Sequence, residues 1–202
     1  MTWLMPAETH PHERTWMAFP RPNASLGDTT SEREAAYAAW TAVAHAVAEF
    51  EPVTMIVDPE ESARAASMLG GGIERIAHPL DDYWVRDTGP SFVLGDDGRL
   101  GAVDWVFNGW GGQSDWARWE HDESLARFVA ESAGAELVSS ELVNEGGAIH
   151  VDGAGTVLVT ETVQLDPGRN PGLDRAAVEA ELARTIGATA VVWLTRGLTR
   201  DY

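Results

Sequence analysis

The apolar positions of this chain follow two periods, which predict strands and helices in alternation. Residues 53–57 form a short continuous apolar run, which is typical of a buried strand. After the candidate N-caps Thr29–Ser31, an Ala-rich stretch over 35–50 has large apolar residues spaced three or four apart. That spacing predicts a helix with a core-facing stripe of Tyr37, Trp40, Val43, Val47 and Phe50.

The remaining apolar runs continue this alternation along the chain. The pattern predicts further strands over 15–19, 73–77, 135–138 and 190–194, and further helices over 59–69, 120–132 and 174–186. Hairpin signals interrupt the series at two places. This order favours mixed α/β units rather than a single parallel doubly wound sheet.

The two predicted hairpins share one design, and each begins with an acid. Asp87 comes two places before Gly89 and precedes strands 91–94 and 100–106, which an Asp-Gly turn joins. Glu145 comes two places before Gly147 and precedes a second hairpin of the same kind, whose return strand covers 156–160. The acids lie 145 − 87 = 58 residues apart, which indicates a repeated supersecondary unit. Symmetry would then direct both carboxylates to a shared centre.

The composition limits the partners that this chain is expected to bind. Its 14 basic and 32 acidic residues give a net charge of −18, which argues against nucleic acid and against an anionic membrane surface. This charge favours a cationic ligand, although a solvated acidic surface is the alternative explanation. No signal-peptide pattern and no membrane-spanning run is present, so we expect a cytoplasmic protein. A homo-oligomer stays open.

A guanidinium is the cation that two carboxylates and nearby aromatic rings suit best, because its planar N–H donors pair edge-on with carboxylates. Trp84 and Trp110 are the candidate aromatic faces. A structural salt-bridge role for both acids is the main alternative, and a glycosidase pair is another. His10, His12 and Glu13 lack the helical spacing of a zinc motif, so neither a metal nor a cofactor is predicted.

The glycine-rich stretch over 108–113 carries Trp110 and has two interpretations. Glycines permit bending and close approach, so the stretch is either a flap over a site or a surface turn with a pinned Trp.

Several motifs together resemble one family. They are Met5-Pro6-Ala7-Glu8, Pro11-His12-Glu13-x-Thr15-Trp16-Met17, Trp84-Val85-Arg86-Asp87-Thr88-Gly89-Pro90, Asp104-Trp105-x-Phe107-Asn108-x-Trp110-Gly111-Gly112, Glu145-Gly146-Gly147-x-Ile149-His150-Val151-Asp152-Gly153 and Arg169-Asn170-Pro171. In this order they are similar to the agmatine deiminases, which are close to the bacterial peptidylarginine deiminases. The resemblance implies a pentein fold, an α/β-propeller of five pseudo-repeated ββαβ units, here incomplete with about three of the five.

The resemblance also implies an activity: a hydrolase that converts agmatine to N-carbamoylputrescine and ammonia, a step of putrescine biosynthesis. In this chemistry a cysteine thiolate attacks the guanidinium carbon to form a thiouronium intermediate, and a histidine moves the protons. Carried over, Asp87 is the catalytic, guanidinium-binding acid and Trp84 an aromatic wall. Glu145 matches the family's Glu-Gly-Gly acid, and Trp110 is assigned to substrate binding.

The chain departs from the family pattern at its end and in its lack of cysteine. The family's Gly-His-x-Asp segment is expected near 145 + 58 = 203, whereas this chain ends at Thr199–Tyr202 and contains no Cys. We therefore expect residues 1–202 to be a single, C-terminally truncated catalytic domain that is inactive alone.

The substrate and the reaction class keep several alternatives. They are hydrolysis of peptidyl or free arginine, amidino transfer to an amine, and non-catalytic binding of a guanidino ligand. A substrate that bears a carboxylate would need a basic partner such as Arg86, Arg118 or Arg169.

Overall fold

The computed structural model describes residues 2–112 and 114–198. The predictions that fall on Gln113 and on Thr199–Tyr202 lie outside these residues. The strands are β1 (Trp3–Leu4), β2 (Thr15–Ala18), β3 (Val53–Val57), β4 (Glu74–Ala77), β5 (Ser91–Gly95), β6 (Leu100–Val106), β7 (Glu136–Val143), β8 (His150–Val151), β9 (Thr156–Thr160) and β10 (Ala190–Leu194). The helices are α1 (Thr30–Ala48), α2 (Ser62–Leu69), α3 (Val85–Thr88), α4 (Gly109–Gly112), α5 (Leu125–Ala133), α6 (Glu161–Gln164) and α7 (Arg175–Ile186).

The chain divides into two compact units. The first unit contains Met1–His10, Arg86–Asp115 and Glu123–Tyr202. The second unit contains Pro11–Val85 and Trp116–Asp122. That the whole chain forms one domain stays a prediction.

The first unit contains two copies of a ββαβ motif, which agrees with the internal repeat expected from the acidic hairpins. In one copy, strands β5 and β6 pair antiparallel and β7 pairs parallel with β6, so the order is β5-β6-β7. In the other copy, β8 and β9 pair antiparallel and β10 pairs parallel with β9. Helices α5 and α7 make the respective crossovers to the parallel strands. Strand β1 adds to the outer edge of β5.

Both crossover helices end in the same way, because the sequence supplies a glycine where the backbone becomes left-handed. Gly134 follows α5 at φ 66°, and Gly187 follows α7 at φ 71°. Glycine adopts this conformation without the steric cost that a side chain brings. Asp174 begins α7 as predicted, because its side chain accepts a hydrogen bond from Ala177 N at 2.9 Å.

The core of the first unit lies between its sheets and helix α7. Val93 and Val103 of the first copy, Val157 and Val159 of the second, and Leu182 of α7 are all buried in one apolar cluster. Inward-facing strand positions and one helix face therefore close a single core. This core fixes the hairpins, and with them the two loops that carry the acids.

The second unit is built on a parallel sheet of order β2-β3-β4. All five residues of β3 are buried, as its continuous apolar run predicts. Thr29 caps α1 in a reciprocal capping box with Glu32.

The predicted apolar stripe of α1 is correct in part. Tyr37 and Ala44 are buried, whereas Val43 is 53% exposed and Phe50 is 86% exposed. Phe50 lies beyond Ala48, where the helix ends, and Ala44 occupies the inward position of the turn that also contains Val43. In this turn the apolar stripe was thus assigned one residue too early, to Val43 and not to Ala44.

Other boundaries differ from the predicted ones by a few residues. The helix predicted over 59–69 begins as a 3-10 turn over Pro59–Glu61 and continues as α2. The helix predicted over 120–132 covers Leu125–Ala133, and the strand predicted over 135–138 continues to Val143. Across the described part of the chain, every helix is too short or too polar to span a bilayer.

Candidate active site

The two acidic loops of the first unit meet just before their hairpins begin. Gly147 N donates a hydrogen bond to Asp87 Oδ1 at 3.1 Å. A Cβ atom on Gly146 would come closer than 3.0 Å to Arg86 O, and one on Gly147 would come as close to Asp87 Oδ1. Both glycines are therefore needed for close approach of the two loops. The structure thus brings together the acid-bearing segments of the two repeats.

The second oxygen of Asp87 is held by a tryptophan on an unusual turn. Trp110 Nε1 donates to Asp87 Oδ2 at 3.1 Å. Trp110 has φ 57° and ψ 43° in α4, and it is the one non-glycine with positive φ among the residues that the structure describes. This left-handed backbone costs a side-chain-bearing residue about 1–2 kcal/mol, so its surroundings must impose it.

Contacts on both sides of Trp110 hold this turn. Asn108 Oδ1 accepts a hydrogen bond from Gly111 N at 2.8 Å, and Asn108 Nδ2 donates to Gly168 O at 2.9 Å. The ring of Phe107 meets that of Trp110 edge to face with centroids 5.1 Å apart. These contacts hold Trp110 in place, and the choice between a flap and a surface turn stays open.

Glu145 pairs with an arginine of its own unit. Arg169 Nε donates to Glu145 Oε1 at 2.8 Å, and Arg169 Nη1 donates to Asp166 Oδ2 at 2.9 Å. The side chains of Arg169 and Glu145 are each only 4% exposed. Two carboxylates and one guanidinium therefore form a buried ionic triad. The other oxygen of Glu145 has no hydrogen bond or ion pair within the described residues.

Neutral amides fix the backbone in front of Glu145. The side chain of Asn170 accepts from Val143 N at 3.0 Å and donates to Val143 O at 2.9 Å. The buried side chain of Gln164 donates to Asn144 Oδ1 at 2.7 Å. The two bonds of Asn170 satisfy the backbone N–H and C=O of Val143, the last residue of β7, two places before Glu145.

Burial and charge act in opposite directions on the two acids. Burial raises the pKa of Asp87, and the hydrogen bonds from Trp110 and Gly147 offset part of that rise. Burial also raises the pKa of Glu145. The charge of Arg169 lowers this pKa, and the charge of Asp87 raises it further. The carboxylates are thus close enough to repel each other, and an added cation between them would relieve that repulsion.

Trp84 lies in the second unit, where other aromatic rings surround it. Its ring meets Trp40 edge to face at 5.6 Å and lies 5.1 Å from the ring of Tyr83. Its residue surface is 39% exposed. Its predicted role as an aromatic wall stays a prediction.

The two explanations for the acids, a structural salt bridge or guanidinium binding, have different outcomes at Glu145 and at Asp87. Glu145 has the internal salt bridge that the structural explanation expected, whereas Asp87 has no ion pair in the part of the chain described here. The sequence prediction missed Arg169 as the partner of Glu145, and it had proposed Arg169 to recognise a substrate carboxylate. Arg86, another such candidate, pairs with Glu8 at 3.1 Å. The spacing of three residues between Asp166 and Arg169 was the available signal for that one ion pair, and it did not indicate Glu145.

No group of three His, Asp or Glu residues is arranged to bind a metal within residues 2–112 and 114–198. His12, one of the considered ligands, lies 3.2 Å from Glu51 instead.

Comparison with known proteins decides the family. The sequence profile of the Porphyromonas-type peptidyl-arginine deiminases matches residues 4–202. The chain belongs to this family. Among its relatives, the Streptomyces coelicolor protein named "Putative agmatine deiminase" is 57% identical over 100% of this chain and 59% of its own length. The agmatine deiminase of Stutzerimonas stutzeri is 41% identical over 98% of this chain and 54% of its own length.

Solved structures of the deiminases have the same fold. The agmatine deiminase of Enterococcus faecalis superposes with a TM-score of 0.90 at 35% identity, covering 99% of this chain and 55% of that one. An arginine deiminase from Porphyromonas gingivalis, itself named as putative, gives a TM-score of 0.80 at 27% identity, with 96% and 57% covered. The predicted pentein α/β fold is thus confirmed, and the partial coverage fits an incomplete propeller. The chain spans a little over half the length of the relatives it matches.

Proposed function

We propose that this chain forms the guanidinium-binding part of an agmatine deiminase-like hydrolase. The observation that carries the proposal is the pair of acids from equivalent loops, of which Glu145 is buried and Asp87 is half-buried. Among the described residues, Asp87 accepts hydrogen bonds only from neutral donors, and one oxygen of Glu145 has no hydrogen-bond partner. The carboxylate oxygens of Asp87 and Glu145 can each accept further hydrogen bonds, and a guanidinium offers N–H donors to both residues. Membership of the deiminase family and the agmatine deiminase relatives support the choice of agmatine.

We propose a part in binding for each of these side chains. Asp87 accepts N–H bonds from the guanidinium and stabilises its positive charge, while Glu145 fixes the plane of the group from a second side. Trp110 orients Asp87 through the hydrogen bond from its indole nitrogen. Such positioning prepares the guanidinium carbon for attack by a nucleophile. These 202 residues contain no cysteine, so a cysteine nucleophile would have to come from outside them.

Calorimetric titration of the 202-residue chain with agmatine tests the binding step. We expect saturable binding by the wild type, and binding at least about tenfold weaker by Asp87→Asn, because one charge-assisted hydrogen bond is lost. Putrescine is the matched control ligand, since it retains an amine and lacks the guanidino group. Equal affinity for the two ligands would contradict the proposal.

A fusion tests the reaction itself. This chain is joined to the remaining length of the Streptomyces coelicolor relative, and agmatine turnover is followed by ammonia release and by detection of N-carbamoylputrescine. We expect turnover by the fusion and none by the 202-residue chain. Asp87→Asn should lower the kcat of the fusion by about 100-fold or more, because a group that stabilises the reacting charge is removed. Transfer of the amidino group to an added amine, without ureido product, would assign the alternative amidinotransferase chemistry.

The family name favours a second candidate substrate, a peptidyl arginine. The net charge of −18 fits the two cationic ends of agmatine better than a substrate that bears a carboxylate. Competition between agmatine and an arginine-terminated peptide in the fusion assay separates the two. A role in putrescine formation follows if agmatine is preferred. The cytoplasmic location and the single domain stay predictions from the sequence, and the oligomeric state stays open.

A further inference from the structure

Arg169 is the one basic side chain of the first unit, among those the structure describes, that pairs with two buried or half-buried acids. Its Nε contacts Glu145 at 2.8 Å and its Nη1 contacts Asp166 at 2.9 Å. The two nitrogens point in different directions around one rigid plane, so they fix two carboxylates relative to each other. A lysine has a single ammonium group and cannot reproduce this double contact.

The Asp166 end of this triad packs against the turn that carries Trp110. A Cβ atom on Gly111 would lie 2.6 Å from Asp166 Oδ2 and 3.2 Å from Arg169 Nη1, so the glycine backbone rests directly on the ion pair. In the same segment, Gly168 O accepts a hydrogen bond from Asn108 Nδ2 at 2.9 Å. The left-handed turn at Trp110 is thus seated on the segment that Arg169 stabilises.

We propose that Arg169 is the positioning residue for both acids of the site. One side of its guanidinium holds Glu145 directly, and the other holds the segment on which the Trp110 turn rests, so that Trp110 meets Asp87. The guanidinium of Arg169 thereby positions both carboxylates to bind the guanidinium of a ligand. This inference rests on the proposed function only for the identity of that ligand.

Electrostatics supports the same role. The positive charge of Arg169 opposes the rise in pKa that burial causes at Glu145, and it contributes in the same direction at Asp87, which it does not pair with. The other charges that act on these two acids are those of Arg86, Asp166 and the acids themselves. Loss of the Arg169 charge should therefore raise the pKa of Asp87, an effect that a purely structural contact would not produce.

The experiment measures Asp87 without any ligand. Carbon-detected NMR follows the side-chain carboxyl of Asp87, assigned with Asp87→Asn, during a pH titration of wild type, Arg169→Lys and Arg169→Met. We expect Arg169→Lys to titrate close to wild type and Arg169→Met to titrate at higher pH. Arg127→Met is the matched control, because Arg127 pairs with the buried acid Asp104 at 2.7 Å in the same unit. An Asp87 titration that Arg169→Met and Arg127→Met leave equally unchanged would overturn the proposal.

Agmatine affinity and the Trp110 indole resonance supply the second measurement. We expect Arg169→Lys to keep the charge but bind agmatine about tenfold more weakly, with a shifted indole N–H signal, because the double contact is lost. If Arg169→Met does not fold, Arg169→Lys alone tests the proposal. Wild-type agmatine affinity and an unshifted Trp110 signal in Arg169→Lys would then refute the positioning role. If wild type does not bind agmatine, the proposed function fails, while the Asp87 titration still tests Arg169.

Discussion

Gly147→Ala is the substitution that tests the meeting of the two loops most simply. The added methyl group would lie closer than 3.0 Å to Asp87 Oδ1, whereas ordinary van der Waals contact begins at 3.4 Å. The oxygen must therefore retreat by at least 3.4 − 3.0 = 0.4 Å. The backbone of Gly147 does not have a positive φ, so the effect is steric and not one of backbone strain.

This displacement acts on two hydrogen bonds at once. The bond from Gly147 N to Asp87 Oδ1 is already 3.1 Å long, and so is the bond from Trp110 Nε1 to Asp87 Oδ2. Overpacking of a close contact costs about 1–3 kcal/mol, and weakening a hydrogen bond to a charged group adds to it. We expect Gly147→Ala to lower the free energy of unfolding by about 2 kcal/mol and to weaken agmatine binding at least about tenfold.

Denaturant unfolding and calorimetric titration measure the two effects. Gly72→Ala is the matched control, because a Cβ atom there meets nothing within 4 Å and the residue has no positive φ. We expect the control to keep wild-type stability and affinity. If Gly147→Ala behaves like Gly72→Ala in both assays, the close approach of the two loops is wrong.

Three further predictions concern single contacts. Trp110→Phe removes the indole donor, so the pKa of Asp87 should rise further and agmatine should bind about three- to tenfold more weakly at pH 7, which a carboxyl NMR titration and calorimetry measure. In the second unit, burial raises the pKa of Asp122 to about 7, above the unfolded value of about 3.9. Its contribution to stability is therefore fully present below about pH 3.9 and is lost as pH rises through about 7, so the advantage of wild type over Asp122→Asn in unfolding free energy should shrink over that range. Thr29→Ala removes one half of the capping box of α1 and should lower the unfolding free energy by about 1 kcal/mol, measured by denaturant titration.

Local sequence signals were sufficient for much of the fold. Asp-Gly and Gly turns between apolar runs predicted both hairpins, and Asp174 with Gly187 predicted the two ends of α7. These signals succeed because capping and turn formation depend on a few neighbouring residues. The apolar stripe of α1 was less certain, since Val43 and Ala44 are adjacent and only tertiary packing selects which of them turns inward.

The sequence predicted the two acids of the site, Asp87 and Glu145, but not the pairing of Glu145 with Arg169. Equivalent positions in two hairpins were enough to suggest that the loops of Asp87 and Glu145 meet. The pairing of Glu145 with Arg169 depends on how the segment after α6 folds back, over 24 residues of chain, and no local pattern encodes that return. The left-handed backbone of Trp110 was equally hidden, because tryptophan has no preference for it and the surrounding contacts impose it.

A crystal structure of the chain with bound agmatine would show whether Asp87 and Glu145 together hold the guanidinium. We expect guanidinium nitrogens within about 3 Å of an oxygen of Asp87 and of Glu145 Oε2, the Glu145 oxygen that Arg169 does not contact. A guanidinium bound elsewhere, or an Asp87 carboxylate that points away from it, would contradict the account.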